Sequence, residues 1–275
     1  MEFSSPVVTL EVQGHVATLW LDRPEARNAL GSAFWRDLPV AAAAITSDPH
    51  LRVVVIAAKG PHFTVGLDLK EFGGSFIGGE SDASSASTNA KSYDAIRRMQ
   101  RAVTSIADLA VPVIAAVHGY CIGGGVDLIS ACDVRLASSD AVFSVRETKV
   151  AIVADLGSLQ RLPRIVSAGH VAELALTGKD IDAARAAAIG LVNSLHGTSG
   201  DEVLLAAYEL ASEIAANSPM AVRGTKAVLA ANDGRTVNEG LDFVARWNTM
   251  YLHSNDLSEA MTAFLERRPP VFNGD

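Results

Sequence analysis

The sequence predicts an α/β protein, and three observations carry that prediction. Two continuous apolar runs, 51–58 (LRVVVIAA) and 113–117 (VIAAV), have the composition of strands buried on both faces. Helical patterns alternate with them, the longest an amphipathic one from about 88 to 109. From 201 onward the periodicity is almost wholly helical, which confines the sheet to the residues before it.

Taken in order, 7–12 and 16–21 alternate apolar and polar residues around Gln13-Gly14, a hairpin pattern. DRPEARNAL (22–30) then turns the chain, and Ser32 is placed to cap a helix running to about Thr46. After the strand at 51–58, GPHFTVGLDLKEF (60–72) supplies Gly66, and Leu67 is expected to open a short helix. The stretch 73–90, rich in Gly, Ser and Ala, is expected to form a mobile loop that shapes or covers the binding pocket. Further on, 167–176 and 181–188 read as helices and 190–195 (GLVNSL) as a short strand. Four helices follow, at 202–216, 219–231, 237–252 and 257–265, with Pro219 in a helix first turn. This last block has too little apolar surface for a core of its own, so the chain divides into a core of 1–200 and a helical region of 201–275.

Composition narrows the function. The 275 residues, 49% of them hydrophobic, suffice for one sizeable core, and the net charge of −8 argues against nonspecific nucleic-acid or anionic-membrane binding. No run approaches the roughly 20 apolar residues of a membrane span. Cys121 and Cys132 are the only cysteines and lie in neither a C-x-x-C nor a metal-spaced cluster with His, so no metal site is expected and both read as buried thiols. MEFSSPVV has neither a basic-then-apolar leader nor an Arg-rich amphipathic start, and the chain ends FNGD rather than in a peroxisomal tripeptide; the expected compartment is the cytosol.

The chemistry concentrates in 111–163. Gly123, Gly124 and Gly125 form a tight turn between a strand and a helix starting near Val126, where backbone amides can point at a ligand oxygen. The same run is also compatible with an ordinary connection. It is not a dinucleotide fingerprint, because G-x-G-x-x-G does not occur there. Three acids stand out. Asp127 lies in the first turn of that helix, where the dipole alone favours a carboxylate. Glu147 follows the short apolar strand 141–145. Asp155 interrupts the apolar run 150–156, where burial raises a carboxyl toward the proton-transfer range unless the residue is a helix N-cap.

The segments FTVGLDLKEF (63–72) and HGYCIGGGVDL (118–128) resemble the paired signature of the crotonase, or enoyl-CoA hydratase/isomerase, family. The resemblance runs from LDRPEARNAL (21–30) through LQRLPR (159–164) to RRPPVF (267–272). It implies a spiral of ββα units, with the C-terminal helices packed on neighbouring subunits in a trimer or a dimer of trimers. It implies an acyl-CoA thioester as substrate, coenzyme A being part of it and no separate cofactor being needed. The backbone N–H groups of Leu67 and Gly124 become the oxyanion hole around the thioester carbonyl. Arg27, and after it Arg23, become candidates for the CoA phosphates. Lys70, beside Asp68 at the start of a short helix, joins Arg27 as a CoA contact, and Lys226 is a further candidate. His62 is expected to be structural.

Within that family Asp127, Glu147 and Asp155, spaced 20 and 8 residues apart, resemble the acids of the Δ3,5-Δ2,4-dienoyl-CoA isomerases. Hydratases carry Glu where this chain has Asp127 and a P-G-x-G-G turn where it has ADLGS (154–158), so Asp155 replaces a hydratase glycine. The implied reaction belongs to fatty-acid β-oxidation: Glu147 takes a proton from C2, Asp155 delivers one at C6, and Asp127 holds or tunes Glu147. The alternatives are a 2-enoyl-CoA hydratase, in which Asp127 and Glu147 hold a water, and a non-catalytic acyl-CoA-binding homologue.

Overall fold

A computed structural model describes residues 3, 5–76 and 85–275. The alternating N-terminal residues pair as predicted: β1 (Val8–Gln13) and β2 (Val16–Leu21) form an antiparallel hairpin. Helix α1 (Ser32–Ser47) follows, then β3 (Val53–Ala58), α2 (Leu69–Phe76) and α3 (Ser85–Ala107). Next come β4 (Val113–Val117), β5 (Tyr120–Ile122), α4 (Gly124–Ser130), β6 (Val134–Ala137) and β7 (Val142–Ser144). A 3-10 turn at Glu147–Val150 leads to α5 (Ser158–Arg161), α6 (Ala168–Thr177), β8 (Ile181–Asp182), α7 (Ala183–Ala188) and β9 (Ser194–Leu195). The chain ends in α8 (Gly200–Ala215), α9 (Pro219–Ala231), α10 (Val237–Tyr251) and α11 (Asn255–Glu266).

Two sheets run through these elements. The large one has the order β1-β2-β3-β4-β6-β9, parallel from β2 onward, and the small one the order β5-β7-β8. Successive passes add one strand to each sheet: β4 is followed by β5, and β6 by β7, before the chain turns into a helix. The result is the spiral of ββα units that the family resemblance implied. The two-residue period of a strand divides β3 between two cores. Val54 and Ile56 face the main core with α1 and α3, whereas Val53, Val55 and Ala57 face a second core closed by α8. Val203, Ala207, Ala211 and Ala215 form the i, i+4 stripe that α8 lays on the sheet, small enough for close approach. By contrast α10 and α11 leave Val237, Leu241, Met250, Phe264 and Leu265 exposed.

Several boundaries differ from the sequence expectations. Ser32 is the first residue of α1 rather than its cap; its N–H donates to the Glu71 carboxylate at 3.1 Å, so the cap comes from α2. Helix α2 opens at Leu69 rather than Leu67, because Asp68 accepts the N–H groups of Lys70 and Glu71 at its start. The predicted helix 181–188 divides: Ile181–Asp182 pairs with β7, and Asp182 then caps α7 by accepting the Arg185 N–H at 2.7 Å. Of the expected loop 73–90, residues 73–76 and 85–90 are helical and 77–84 lie outside the described residues.

Candidate active site

Two backbone corners meet at the C-terminal side of the large sheet. Gly66 has φ +85°, and a Cβ there would lie 2.7 Å from the Ile122 carbonyl oxygen and 3.7 Å from the Gly124 nitrogen, so only glycine admits this contact. The corner is fixed by hydrogen bonds on either side of Leu67. The Leu30 N–H donates to the Gly66 carbonyl at 2.8 Å, and the Asp68 N–H to the Leu30 carbonyl at 3.1 Å. The second corner is Gly123, at φ +52°, whose N–H donates to the Ser144 carbonyl at 2.8 Å and which opens α4. Gly124, and not Val126, is therefore the first helical residue. Neither the Leu67 N–H nor the Gly124 N–H has an acceptor among the described residues, and both residues line one cavity. Two adjacent unpaired donors of this kind can bind an oxygen on which negative charge develops.

That cavity, of about 250 Å³, is walled mainly by apolar side chains including Trp35, Leu69, Met99, Ile122, Ile152 and Leu156. Its ionisable wall residues are Arg146, Glu147 and Asp155. Glu147 lies at the glycine end: a Cβ on Gly123 would come within 3.2 Å of its Oε1. Its Oε2 is buried without a partner, and burial, with the charge of Asp155 added, raises its pKa. Asp155 lies toward α3, where its carbonyl oxygen accepts a hydrogen bond from Gln100 Nε2 at 2.6 Å. Burial raises its carboxyl too. The N-cap of α5 is Gly157, so the capping role left open for Asp155 is not the one it plays.

Asp127 stands behind the wall rather than in it. It is 1% exposed, its Oδ1 accepts the Ser158 N–H at 2.6 Å, and its Oδ2 is buried without a partner. Burial, and next the charge of Glu147, push its pKa up to about 7. The loop 155–158 is thereby held along its length: Gln100 binds the Asp155 carbonyl, Arg161 the Leu156 carbonyl at 3.3 Å, and Asp127 the Ser158 amide. Sequence reading did not find Gln100, Arg161 or Ser158 as contributors. The available signal was Gln100 itself, a polar residue beside the apolar pair Ile96 and Met99 that faces the cavity.

The basic candidates divide. Arg27, in the left-handed region at φ +52°, and Lys70 are both exposed. Arg23 is committed to Asp68 at 2.7 Å, and its guanidinium holds that carboxyl below the usual range. Lys226 is likewise occupied, donating to the Val111 carbonyl at 2.9 Å and to Asp133 at 2.7 Å. His62 accepts the Tyr120 N–H at 3.3 Å and lies against that ring, away from the acids.

Comparison with known proteins adds to this geometry. A family model described as enoyl-CoA hydratase/isomerase matches residues 11–275. The mitochondrial Delta(3,5)-Delta(2,4)-dienoyl-CoA isomerase of Dictyostelium discoideum is 44% identical, over 94% of this chain and 87% of its own. The peroxisomal protein of that name from Arabidopsis thaliana is 41% identical, over 97% and 95%. A crystal structure of enoyl-CoA hydratase from Bacillus anthracis superposes with a TM-score of 0.89 at 30% identity, covering 98% of this chain and all of that one. Fold is thus shared across hydratase and isomerase names. The expected cytosolic compartment is overturned by these relatives, whose names place them in mitochondria and peroxisomes. The physical reason is that targeting is read by receptors from short address segments, whereas two buried thiols report only on the interior that encloses them.

Proposed function

The chain belongs to the enoyl-CoA hydratase/isomerase family, and from that premise we propose that it converts 3,5-dienoyl-CoA thioesters to their 2,4-dienoyl isomers, a step of fatty-acid β-oxidation. The thioester oxygen sits between the N–H groups of Leu67 and Gly124. Glu147, as carboxylate, takes a proton from C2; the electron pair spreads through the dienolate, and Asp155, as carboxylic acid, returns a proton at C6. The double bonds move from C3–C4 and C5–C6 to C2–C3 and C4–C5, with no oxidant, reductant or added water in the balance. Asp127 acts through its neighbours, holding the Ser158 amide.

The observation that carries this reading is the shared cavity: Glu147 at the glycine turn and Asp155 against α3 both open on one apolar space. A base and an acid at two ends of a conjugated chain need opposite protonation states, and burial that lifts both carboxyls toward neutrality supplies the conditions. A hydratase would need Asp127 beside Glu147 at a water. One of its oxygens is instead held by the Ser158 N–H, and Asp127 is not in the cavity wall. Arg27 and Lys70, free of ion pairs among the described residues, are the proposed CoA contacts. The exposed apolar faces of α10 and α11 are the proposed subunit contacts of a trimer or a dimer of trimers, within the helical region 201–275.

Absorbance kinetics with matched substrates test the proposal. A 3,5-dienoyl-CoA should gain the conjugated 2,4-dienoyl-thioester absorbance on turnover, and a 2-enoyl-CoA should lose little. Rapid loss of the enoyl signal with no change in the diene would establish hydration instead, and tight binding without turnover of either would leave an acyl-CoA-binding protein.

A further inference from the structure

The side of Asp155 that faces away from the apolar cavity opens on a second one. This space, of about 460 Å³, is walled by Arg97, Gln100, Thr104, Arg161 and Arg164. Asp155 and Leu156 belong to both walls and form the partition between the two spaces. Three arginines therefore line one space with Asp155. Among the described residues neither Arg97 nor Arg161 has an acid at ion-pair distance. Arg97 donates to Gln100 Oε1 at 2.7 Å, and Arg161 to the Thr104 hydroxyl at 2.9 Å and the Leu156 carbonyl at 3.3 Å. Arg164 pairs with Asp233. Arg161 is half-buried and Arg97 exposed. A guanidinium that has lost part of its hydration and binds only neutral acceptors gains strongly from a carboxylate, which it can hold with two parallel hydrogen bonds.

From this arrangement we infer that the enzyme accepts acyl thioesters whose far end carries a carboxylate, with the tail passing Leu156 and Asp155 and its terminal carboxylate held by Arg97 and Arg161. The inference rests on the dienoyl-CoA isomerase reading and names its substrate class. Coenzyme A is attached at the carbonyl, at the glycine turn, so the group that reaches beyond Asp155 is the chain's far end. An anion placed there also favours the protonated form of the neighbouring acid, the form that the proposed reaction uses.

Pairs of 3,5-dienoyl-CoA esters of equal length, one ending in methyl and the other in carboxylate, test this over a series of lengths. At one or more lengths the kcat/KM of the carboxylate ester should exceed that of the methyl ester about tenfold, the discrimination given by one charge-assisted hydrogen bond. Arg97→Gln should bring the ratio close to one, and Arg97→Lys, which keeps the charge and loses the planar fork, should give an intermediate value. A ratio near one at every length in the unaltered protein overturns the inference, as does a preference that Arg97→Gln leaves intact. Calorimetry with saturated ω-carboxyacyl-CoA and its methyl counterpart separates this from the reaction itself. Tighter binding of the carboxylate ligand, lost in Arg97→Gln, keeps the tail site even if no diene is isomerised.

Discussion

The two ends of the apolar cavity are built in different ways. At the glycine end the proposed working groups are the N–H of Leu67 and the N–H of Gly124, placed by Gly66 and Gly123 and by the hydrogen-bond register of the strands behind them. At the acid end the proposed working group is one side chain, Asp155, on a loop held by Gln100, Arg161 and Asp127. A backbone site follows from the fold and accepts many side chains, so proteins with different reactions can share it, as the hydratase superposition illustrates. A side-chain site changes with a single codon, and that is where one reaction is separated from another.

The strongest test of this contrast is Asp155→Asn. It should lower the isomerisation kcat about 10³-fold, within the range for a general acid, while calorimetry shows acyl-CoA affinity little changed. Activity close to that of the unaltered protein would remove the acid end from the chemistry. Asp127→Asn addresses the residue that joins the two ends, since it sits in the first turn of α4 and binds the Ser158 amide. The folded protein holds the Asp127 proton up to about pH 7, whereas the unfolded chain releases it near 3.8. The stability this contributes is therefore complete below about pH 4 and lost as pH rises to about 7. Asparagine has no such loss, so melts at pH 5 and pH 8 should show the variant gaining on the unaltered protein by up to about 3 kcal/mol. Parallel stability curves would place the charge of Asp127 elsewhere.

Gly66→Ala comes next: a Cβ 2.7 Å from the Ile122 carbonyl must move the Leu67 amide, with a loss in kcat of roughly 10²-fold, that of one oxyanion donor. Gln100→Ala frees the Asp155 carbonyl and the Arg97 guanidinium. A roughly fivefold fall in kcat with KM unchanged, and a shifted acid limb of the pH profile that Gln100→Asn restores and Gln100→Glu, which has no donor when ionised, does not, would mark it as a positioning residue. Leu67→Ala should have the smallest effect, within about twofold, because the amide rather than the side chain does the binding.

The strands and the candidate acids were legible because they obey local rules. A continuous β-branched run such as 53–58 has few alternatives to a strand buried on both faces, and an acid inside an apolar run, as at Asp155, announces itself by its desolvation cost. What was not legible depends on partners distant in sequence. The carboxylate that meets the first amide of α1 comes from Glu71, 39 residues after Ser32, so local capping rules selected Ser32 instead. β8 has two residues and exists only through its pairing with Val142 and Phe143; alone it continues a helical pattern. Asp127 was read as holding or tuning Glu147, but its hydrogen bond to the Ser158 amide, 31 residues on, has no local signal.

Helix α3 serves both spaces: Ile96 and Met99 face the apolar cavity, while Arg97, Gln100 and Thr104 face the polar one. It is a shared partition, and its sequence is written for two rooms at once. Inserting one residue ahead of Ile96 would rotate everything after it by about 100° and carry Ile96 and Met99 to the places where Arg97 and Gln100 now stand. Recognition of the chain's middle and recognition of its tip are therefore mechanically linked, so drift along this helix would tend to alter them in concert, and an engineer seeking to alter one must expect to readjust the other.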